Sequence, residues 1–597
     1  MSHYKSNLRD IEFNLFEVNK VQEYLGTGEW SDIDQDTARD ILTEMERLAR
    51  EDYAASYEDQ DRIPLEIVDG EVEIPASVKA SVNAYRDGGW NRVALPVEMG
   101  GMAIPPSILW AGLEMLLAAN TAAQFYAGGG LFAGVLFEEG TEEQKDFARL
   151  WLEKGWAGTM VLTEPDAGSD FGAGTSKATE QPDGTWHIEG VKRFITGGEH
   201  DITENIVHLV LARPEGAGPG TKGLSLFVVP KYLVNDDGSL GERNGVYATN
   251  IEKKMGLKGS TTCEMTFGMD EPAVGYLVGG KHDGTRQMFR VIEYARMMIG
   301  NKAMGTLSTG YLNALQYAQD RVQGADLAEA MDKTAPRVPI INHPNIKRML
   351  MEQKAYAEGL RALVMYTSWV QDQMALHPDD DAWKRRNDLL LPLVKGYSSE
   401  KAYELLAQCL QVFGGAGYTQ DVPMEQYVRD AKIDTIYEGT TGIQALDLFF
   451  RKIARDQGSS LASLAGEMVE FVKGGEDGDP LAAEREKLGE VLDDAQAQLG
   501  SVVEYLMASI SQDKKELYKV GLQASGILDS LAEVVIAWQM LRQAEVAVAK
   551  VDDDPFYLGK VEAARWFLKD VGPKVAARRA LAAAEDGHLM DLPVEAF

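Results

Sequence analysis

Cysteine is almost missing from this 597-residue chain, which holds only Cys263 and Cys409. One possible pair gives no disulfide framework and no reason to expect an oxidising compartment, so the cytoplasm is the expected setting. Positive charge is scarce as well. Against 93 Asp and Glu stand 59 Lys and Arg, a formal net charge of -34, which opposes binding to nucleic acid or to anionic membrane surfaces. Any phosphate-bearing ligand needs a locally basic site. No uninterrupted apolar run reaches membrane-spanning length: Leu531 to Leu541 has Glu533 inside it and Asp529 before it, and reads as a buried helix. Residues 1–16 carry Lys5, Arg9, Asp10 and Glu12, unlike a secretory signal. The eight histidines show no H-x-x-x-H spacing and no Cys partner, so no metal site is expected. Neither a Gly-x-Ser-x-Gly elbow nor a Walker loop occurs, which sets aside hydrolases and nucleoside triphosphatases. Gly128, Gly129, Gly130 and Gly134 come near a dinucleotide fingerprint, but Ala122 to Ala127 before them is not a strand, so they read as helix packing or a loop.

What is present suits a large globular protein. Hydrophobic residues make up 45% of the chain, and at roughly 100 to 200 residues per domain the length suggests about four domains. Residues 1–40 form an N-terminal extension. From 41 to 155 the period is helical: Ile41, Leu42, Met45 and Leu48 share one face, Ser107 onward is a more deeply buried helix, and Thr141 with Gln144 is a capping box. Between 156 and 280 the period shortens to that of strands, as in Thr185 to Thr196, Ile206 to Ala212 and Leu224 to Val229, with Gly- and Pro-rich turns between them. Long helices return over 281–455, including Met288 to Gln323 and Asn345 to Leu376. More amphipathic helices fill 456–597, such as Leu481 to Ala508 and Lys515 to Lys550.

The segment from Ile436 to Gln444 carries the clearest chemistry. It sets Glu438 between Tyr437 and Gly439, with Ile436 nearby. A carboxylate among apolar neighbours loses hydration, and desolvation raises its pKa toward the range of a working general base. The same residues also fit a solvated glutamate opening a helix.

This segment resembles the catalytic stretch of the acyl-CoA dehydrogenase family. So do Gln411 to Tyr418, with its Gly-Gly-Ala-Gly run, Gln426 to Ile433, Met160 to Asp170 and Arg193 to Gly198. The resemblance covers roughly residues 40 to 455, and the remainder looks like the C-terminal extension of the family's large members, most of all the actinobacterial ones. It implies an α+β, mostly α fold, with an N-terminal helical domain, a central antiparallel β domain, a C-terminal four-helix bundle and an extra C-terminal helical domain.

The implied reaction is FAD-dependent α,β-dehydrogenation of a fatty acyl-CoA to the trans-2-enoyl-CoA, the first step of β-oxidation. Glu438 would take the α-proton, and the β-hydride would go to N5 of FAD. Some family members place the base where Ala295 stands here, which alanine cannot serve. The resemblance puts Met160, Leu162 and Thr163 along the flavin ring, Gly168 and Ser169 near the pyrophosphate, and Phe194 and Thr196 on the ring. Arg321, Gln411 and Gly415 would reach FAD across a subunit boundary, and Thr440 its adenosine side. Substrate would meet Ser169, Arg296, Tyr437 and Gly439, with Arg296 near the CoA entry. An electron-transfer flavoprotein is the implied acceptor and a homodimer the implied assembly, with no nucleic acid and no integral membrane segment. Met160 and Gly442 depart from the family's usual residues. An acyl-CoA oxidase, a dehydrogenase of a thioether substrate such as 3-methylmercaptopropionyl-CoA, and a non-catalytic flavoprotein of the alkylation-response type stand as rivals, the last disfavoured by a pI near 4.7.

Overall fold

The structure, a computed structural model, describes residues 2–475 and 478–597. The chain forms two compact units: residues 2–4 with 26–295, and residues 5–25 with 296–597.

In the first unit, helices precede and flank a sheet. Gln35–Leu48 is capped by Asp34, whose carboxylate accepts from the Thr37 N–H, and buries Ile41, Leu42, Met45 and Leu48 as the period requires. Pro106–Tyr126 is buried along nearly its whole length. The capping box at Thr141 and Gln144 starts Glu142–Lys154. The glycine run lies at the start of the helix Gly129–Glu139, where a Cβ on Gly129 would meet the Trp156 carbonyl at 2.3 Å and one on Gly130 the Asn91 carbonyl at 2.3 Å. These glycines allow close packing, as expected.

Eight strands build the main sheet: β1 (Ala157–Val161), β2 (Lys177–Glu180), β3 (Trp186–Thr196), β4 (Ile206–Pro214), β5 (Ser225–Pro230), β6 (Val246–Ile251), β7 (Thr262–Phe267) and β8 (Ala273–Leu277). Their order is β6-β7-β3-β8-β5-β4-β1, with β2 pairing β3 and β4. Most neighbours are antiparallel, but β1 and β2 both run parallel to β4. The long excursion from β1 to β4 through two other strands permits this, since a parallel pair needs a crossover connection. Strand β4 is buried almost throughout because both its faces are covered. Val207, Leu209 and Leu211 join a core with Trp151 and Leu152, whereas Val210 and Ala212 join one with Trp186 and Phe227.

The second unit is helical. Its long helices are Gly284–Asp320, from residue 296 onward, then Pro344–Leu376, Ala482–Ser511, Leu517–Val548 and Pro555–Ala583. Residues 514–548 have the length and composition to cross a membrane. They pack against Ala482–Ser511 and Pro555–Ala583 and bury Leu531 to Leu541, Glu533 included, as a core helix does. The Glu533 carboxylate is satisfied there by the Tyr397 hydroxyl at 2.9 Å and Arg578 at 2.7 Å.

The N-terminal segment belongs to this second unit. Asp10, fully buried, receives Arg361 at 2.6 Å and also pairs with Lys560. Burial pushes the Asp10 carboxyl up, but Lys560 and Arg361 outweigh it and hold it down at about 2. One carboxylate thus ties residues 5–25 both to Pro344–Leu376 and to the C-terminal helix.

Candidate active site

In the first unit, the expected flavin-facing residues gather at the end of β1 and on β3. Met160, Leu162, Thr163 and Thr196 are half-buried, and the Arg193 N–H donates to the Thr163 carbonyl at 2.9 Å, joining the loop after β1 to β3. Between Cys263 and Met265 on β7 the register with β3 shifts, so that Arg193 and Phe194 together oppose Glu264 alone. Such a bulge re-aims a side chain. Phe194 has φ of 62°, rare for a bulky residue, and leaves 54% of its surface exposed, with the Arg193 guanidinium 4.9 Å from its ring. Gly168 and Ser169 are exposed, and a Cβ on Gly168 would meet nothing within 4 Å. An exposed aromatic beside half-buried apolar side chains and hydroxyls, with open backbone nearby, suits a planar ring carrying a phosphate tail.

The loop's shape depends on a residue without an assigned role in the sequence reading. Glu164, buried, accepts from the Thr175 and Ser176 N–H groups at 2.6 and 3.1 Å and from Lys192 Nζ at 2.9 Å. Lys192 also donates to the carbonyls of Leu162 and Leu211. Burial alone would raise the Glu164 pKa, but Lys192 and the other donors outweigh it and leave it near 2.

In the second unit, Glu438 stands between the short turn Ile433–Thr435 and the helix Thr441–Asp447, whose N-cap is Thr440. Glu438 and Gly439 have φ of 56° and 91°, consecutive left-handed positions that a glutamate adopts only when its surroundings impose them. The surroundings are specific. Gln444 Nε2 donates to the Glu438 carbonyl at 2.9 Å, and Lys395 Nζ donates to the Gly439 carbonyl at 2.6 Å. Among the described residues the Glu438 N–H donates to nothing. Burial lifts the Glu438 pKa from 4.5 to about 7, with Lys395 and Arg296 pulling the other way. That lift corresponds to roughly 3 kcal/mol against the charged form.

Tyr437 donates its hydroxyl to Asp434 at 2.8 Å, and Asp434, fully buried, receives Lys302 Nζ at 2.7 Å. Arg296 differs from expectation. Its guanidinium is not held out at an entry but is buried, bonded to Asp447 at 2.7 Å, because the helix Thr441–Asp447 presents that carboxylate to it. Ala295 is buried and supplies no acid. Arg321, Gln411 and Gly415 are all exposed, and Arg321 forms no ion pair among the described residues. Beside Gly415, Tyr418 leaves 84% of its surface exposed.

A model of the acyl-CoA dehydrogenase middle domain matches residues 159–269, and one of the acyl-CoA dehydrogenase C-terminal domain matches 282–451. A third, described as acetyl-CoA dehydrogenase C-terminal like, matches 464–593. The broad-specificity linear acyl-CoA dehydrogenase FadE5 of Mycobacterium tuberculosis is 53% identical over 612 residues, covering 100% of both chains. The chain belongs to the acyl-CoA dehydrogenase family. The 3-methylmercaptopropionyl-CoA dehydrogenase of Ruegeria pomeroyi is 35% identical, over 95% of this chain and 96% of that one. Among solved structures, an acyl-CoA dehydrogenase of Bacillus anthracis complexed with FAD superposes with a TM-score of 0.72 at 20% identity, covering 94% of this chain and 90% of that one. Caenorhabditis elegans ACDH-11 in complex with C11-CoA gives 0.70 at 17% identity, over 94% and 89%. This acyl-CoA dehydrogenase is therefore an oxidoreductase of fatty acid metabolism, and its alignment with FadE5 runs through the C-terminal extension.

Proposed function

We propose that this enzyme dehydrogenates linear acyl-CoA thioesters between Cα and Cβ, with Glu438 as the base, and that electrons leave to an electron-transfer flavoprotein. The carrying observation is Glu438 itself: a carboxyl raised to about 7, held in a left-handed turn, with its own N–H undonated. An acid of that pKa is partly ionised at neutral pH and basic enough to accept a proton. A thioester α-proton leaves only if the carbonyl oxygen is stabilised as charge develops, and the free Glu438 N–H is a preorganised donor for it.

FAD fits the open face of Phe194, Met160, Leu162, Thr163 and Thr196, with Gly168 and Ser169 free to approach phosphate. The chemistry supplied by bound FAD is acceptance of hydride from Cβ. Arg321, Gln411, Gly415 and Thr440 are read as contacts to the flavin nucleotide of a second copy in a homodimer, an assignment supported by the exposure of the first three. Tyr437 and Gly439 adjoin the base on the substrate side, whereas Arg296 acts through Asp447. Two buried free thiols, Cys263 and Cys409, agree with a reducing cytoplasm.

The linear preference is carried over from the 53% identical relative. Product analysis with linear acyl-CoAs of increasing length and with 3-methylmercaptopropionyl-CoA tests it. Enoyl-CoA formation from the linear series first supports this reading; faster turnover of the thioether substrate overturns it.

A further inference from the structure

Three buried cations and two acids crowd the base, and their pairing is unequal. Lys302 is closed on Asp434 at 2.7 Å, with Tyr437 as a further donor to the same carboxylate, and Arg296 is closed on Asp447 at 2.7 Å, with Arg451 3.4 Å from the other oxygen. Glu438 and Lys395 remain. They form no ion pair with each other among the described residues; the Lys395 ammonium bonds instead to the Gly439 carbonyl at 2.6 Å. Lys395 is fully buried in the π-helical turn Leu393–Tyr397, which follows directly on Pro392. Proline lacks the N–H that would continue the helical ladder, and a wide turn absorbs the loss.

A direct bond from Lys395 to the carboxylate would stabilise the ionised form and weaken the base, whereas no cation at all would leave burial unopposed and keep the acid protonated. The observed arrangement lies between these.

We propose that Lys395 is a positioning residue for Glu438: its ammonium pins the Gly439 carbonyl, fixing the left-handed turn, and sets one positive charge beside the carboxylate without bonding to it. Burial lowers the Lys395 pKa to about 8, against the pull of Asp434 and Glu438, with Arg296 lowering it further and Glu400 raising it. Lys395 is therefore charged through the lower part of the range in which Glu438 titrates. The charged and titratable groups around the base are Lys395, Arg296, Lys302, Asp434, Asp447, Tyr437 and Glu400; of these Lys395 and Arg296 act on Glu438 itself, and Asp434 and Glu400 act on Lys395.

This inference rests on Glu438 being the base. The test is the pH dependence of anaerobic flavin reduction by one acyl-CoA in the flavin-loaded enzyme, wild type against Lys395→Met, Lys395→Arg and Asp434→Asn. Lys395→Met should move the acid limb up by about one pH unit or more, so that the rate falls roughly tenfold or more at pH 6 and far less at pH 9. Lys395→Arg should restore the limb. Asp434→Asn removes an acid that neutralises the surrounding cations and should move the limb down. A uniform rate loss at every pH in Lys395→Met overturns the proposal; should that variant not fold, an unmoved limb in Asp434→Asn does so. Glu438→Gln separates the two readings: if it reduces flavin at the wild-type rate, the assignment of the base fails, whereas if it is inert and the other limbs do not move, only the role of Lys395 fails.

Discussion

Lys192 donates to the Glu164 carboxylate across 2.9 Å inside the sheet, and the pair holds the loop after β1 that is bonded to the bulge of β3. Removing one partner of a buried ion pair leaves an uncompensated charge, which costs about 3 to 5 kcal/mol. Lys192→Met should lower the apparent Tm and, because Leu162 loses its donor, also lower flavin content. Thermal melts and the flavin-to-protein absorbance ratio of the purified variant check both.

Phe194 should behave in the opposite way. It is exposed and strained, so Phe194→Gly relieves a left-handed φ that glycine adopts freely. The apo-protein should melt at or above the wild-type temperature while flavin is retained more weakly, as flavin titration of the apo-protein would show.

The Glu438 carboxyl should cost the protein stability. Its folded pKa, about 7, lies above the value of 4.5 expected when unfolded. The unfolded chain therefore loses the proton first, stability falls as pH rises from about 4.5 to 7, and the penalty is complete above that. Glu438→Gln should raise the apparent Tm at pH 8, by up to roughly 3 kcal/mol of added stability, with the gain shrinking toward pH 5. Melting curves at the two pH values decide it.

Asp10 shows the reverse sign. Its folded pKa, about 2, lies below the ordinary 3.8, so its contribution is present above pH 3.8 and is lost as pH falls through 2. At neutral pH, Asp10→Ala removes the carboxylate that buried Arg361 and Lys560 share, although Glu358 stays 3.2 Å from Lys560, and a loss of about 3 to 5 kcal/mol is expected in denaturant melts.

Much of the architecture was legible because it rests on period and local chemistry. The Asn345 to Leu376 helix, the Thr141 capping box, strand β4 and the buried helix around Glu533 are all stated by spacing or by one charge in an apolar run. The parallel pairing of β1 and β2 with β4 was not, since strand partners are chosen by the whole sheet. The docking of residues 5–25 into the second unit was also hidden, because Asp10 finds Arg361 and Lys560 hundreds of residues away. At the site, the buried surroundings of Glu438 were foreshadowed by its own neighbours. Its supports were not: Gln444 and Lys395 act on backbone carbonyls, which no side-chain pattern advertises. Lys395 did leave one trace, a lone cation between Leu393-Val394 and Gly396-Tyr397. The pairing of Arg296 with Asp447 was also hidden, because that carboxylate is brought to it only by the helix that follows the base.

The central claim, that Glu438 removes the substrate proton, is tested most directly by anaerobic mixing of flavin-loaded enzyme with a linear acyl-CoA. The visible flavin band is followed in wild type and in Glu438→Gln. Rapid bleaching of wild type and a slowing of about a hundredfold or more in the variant is the predicted result. Equal bleaching in both would contradict it.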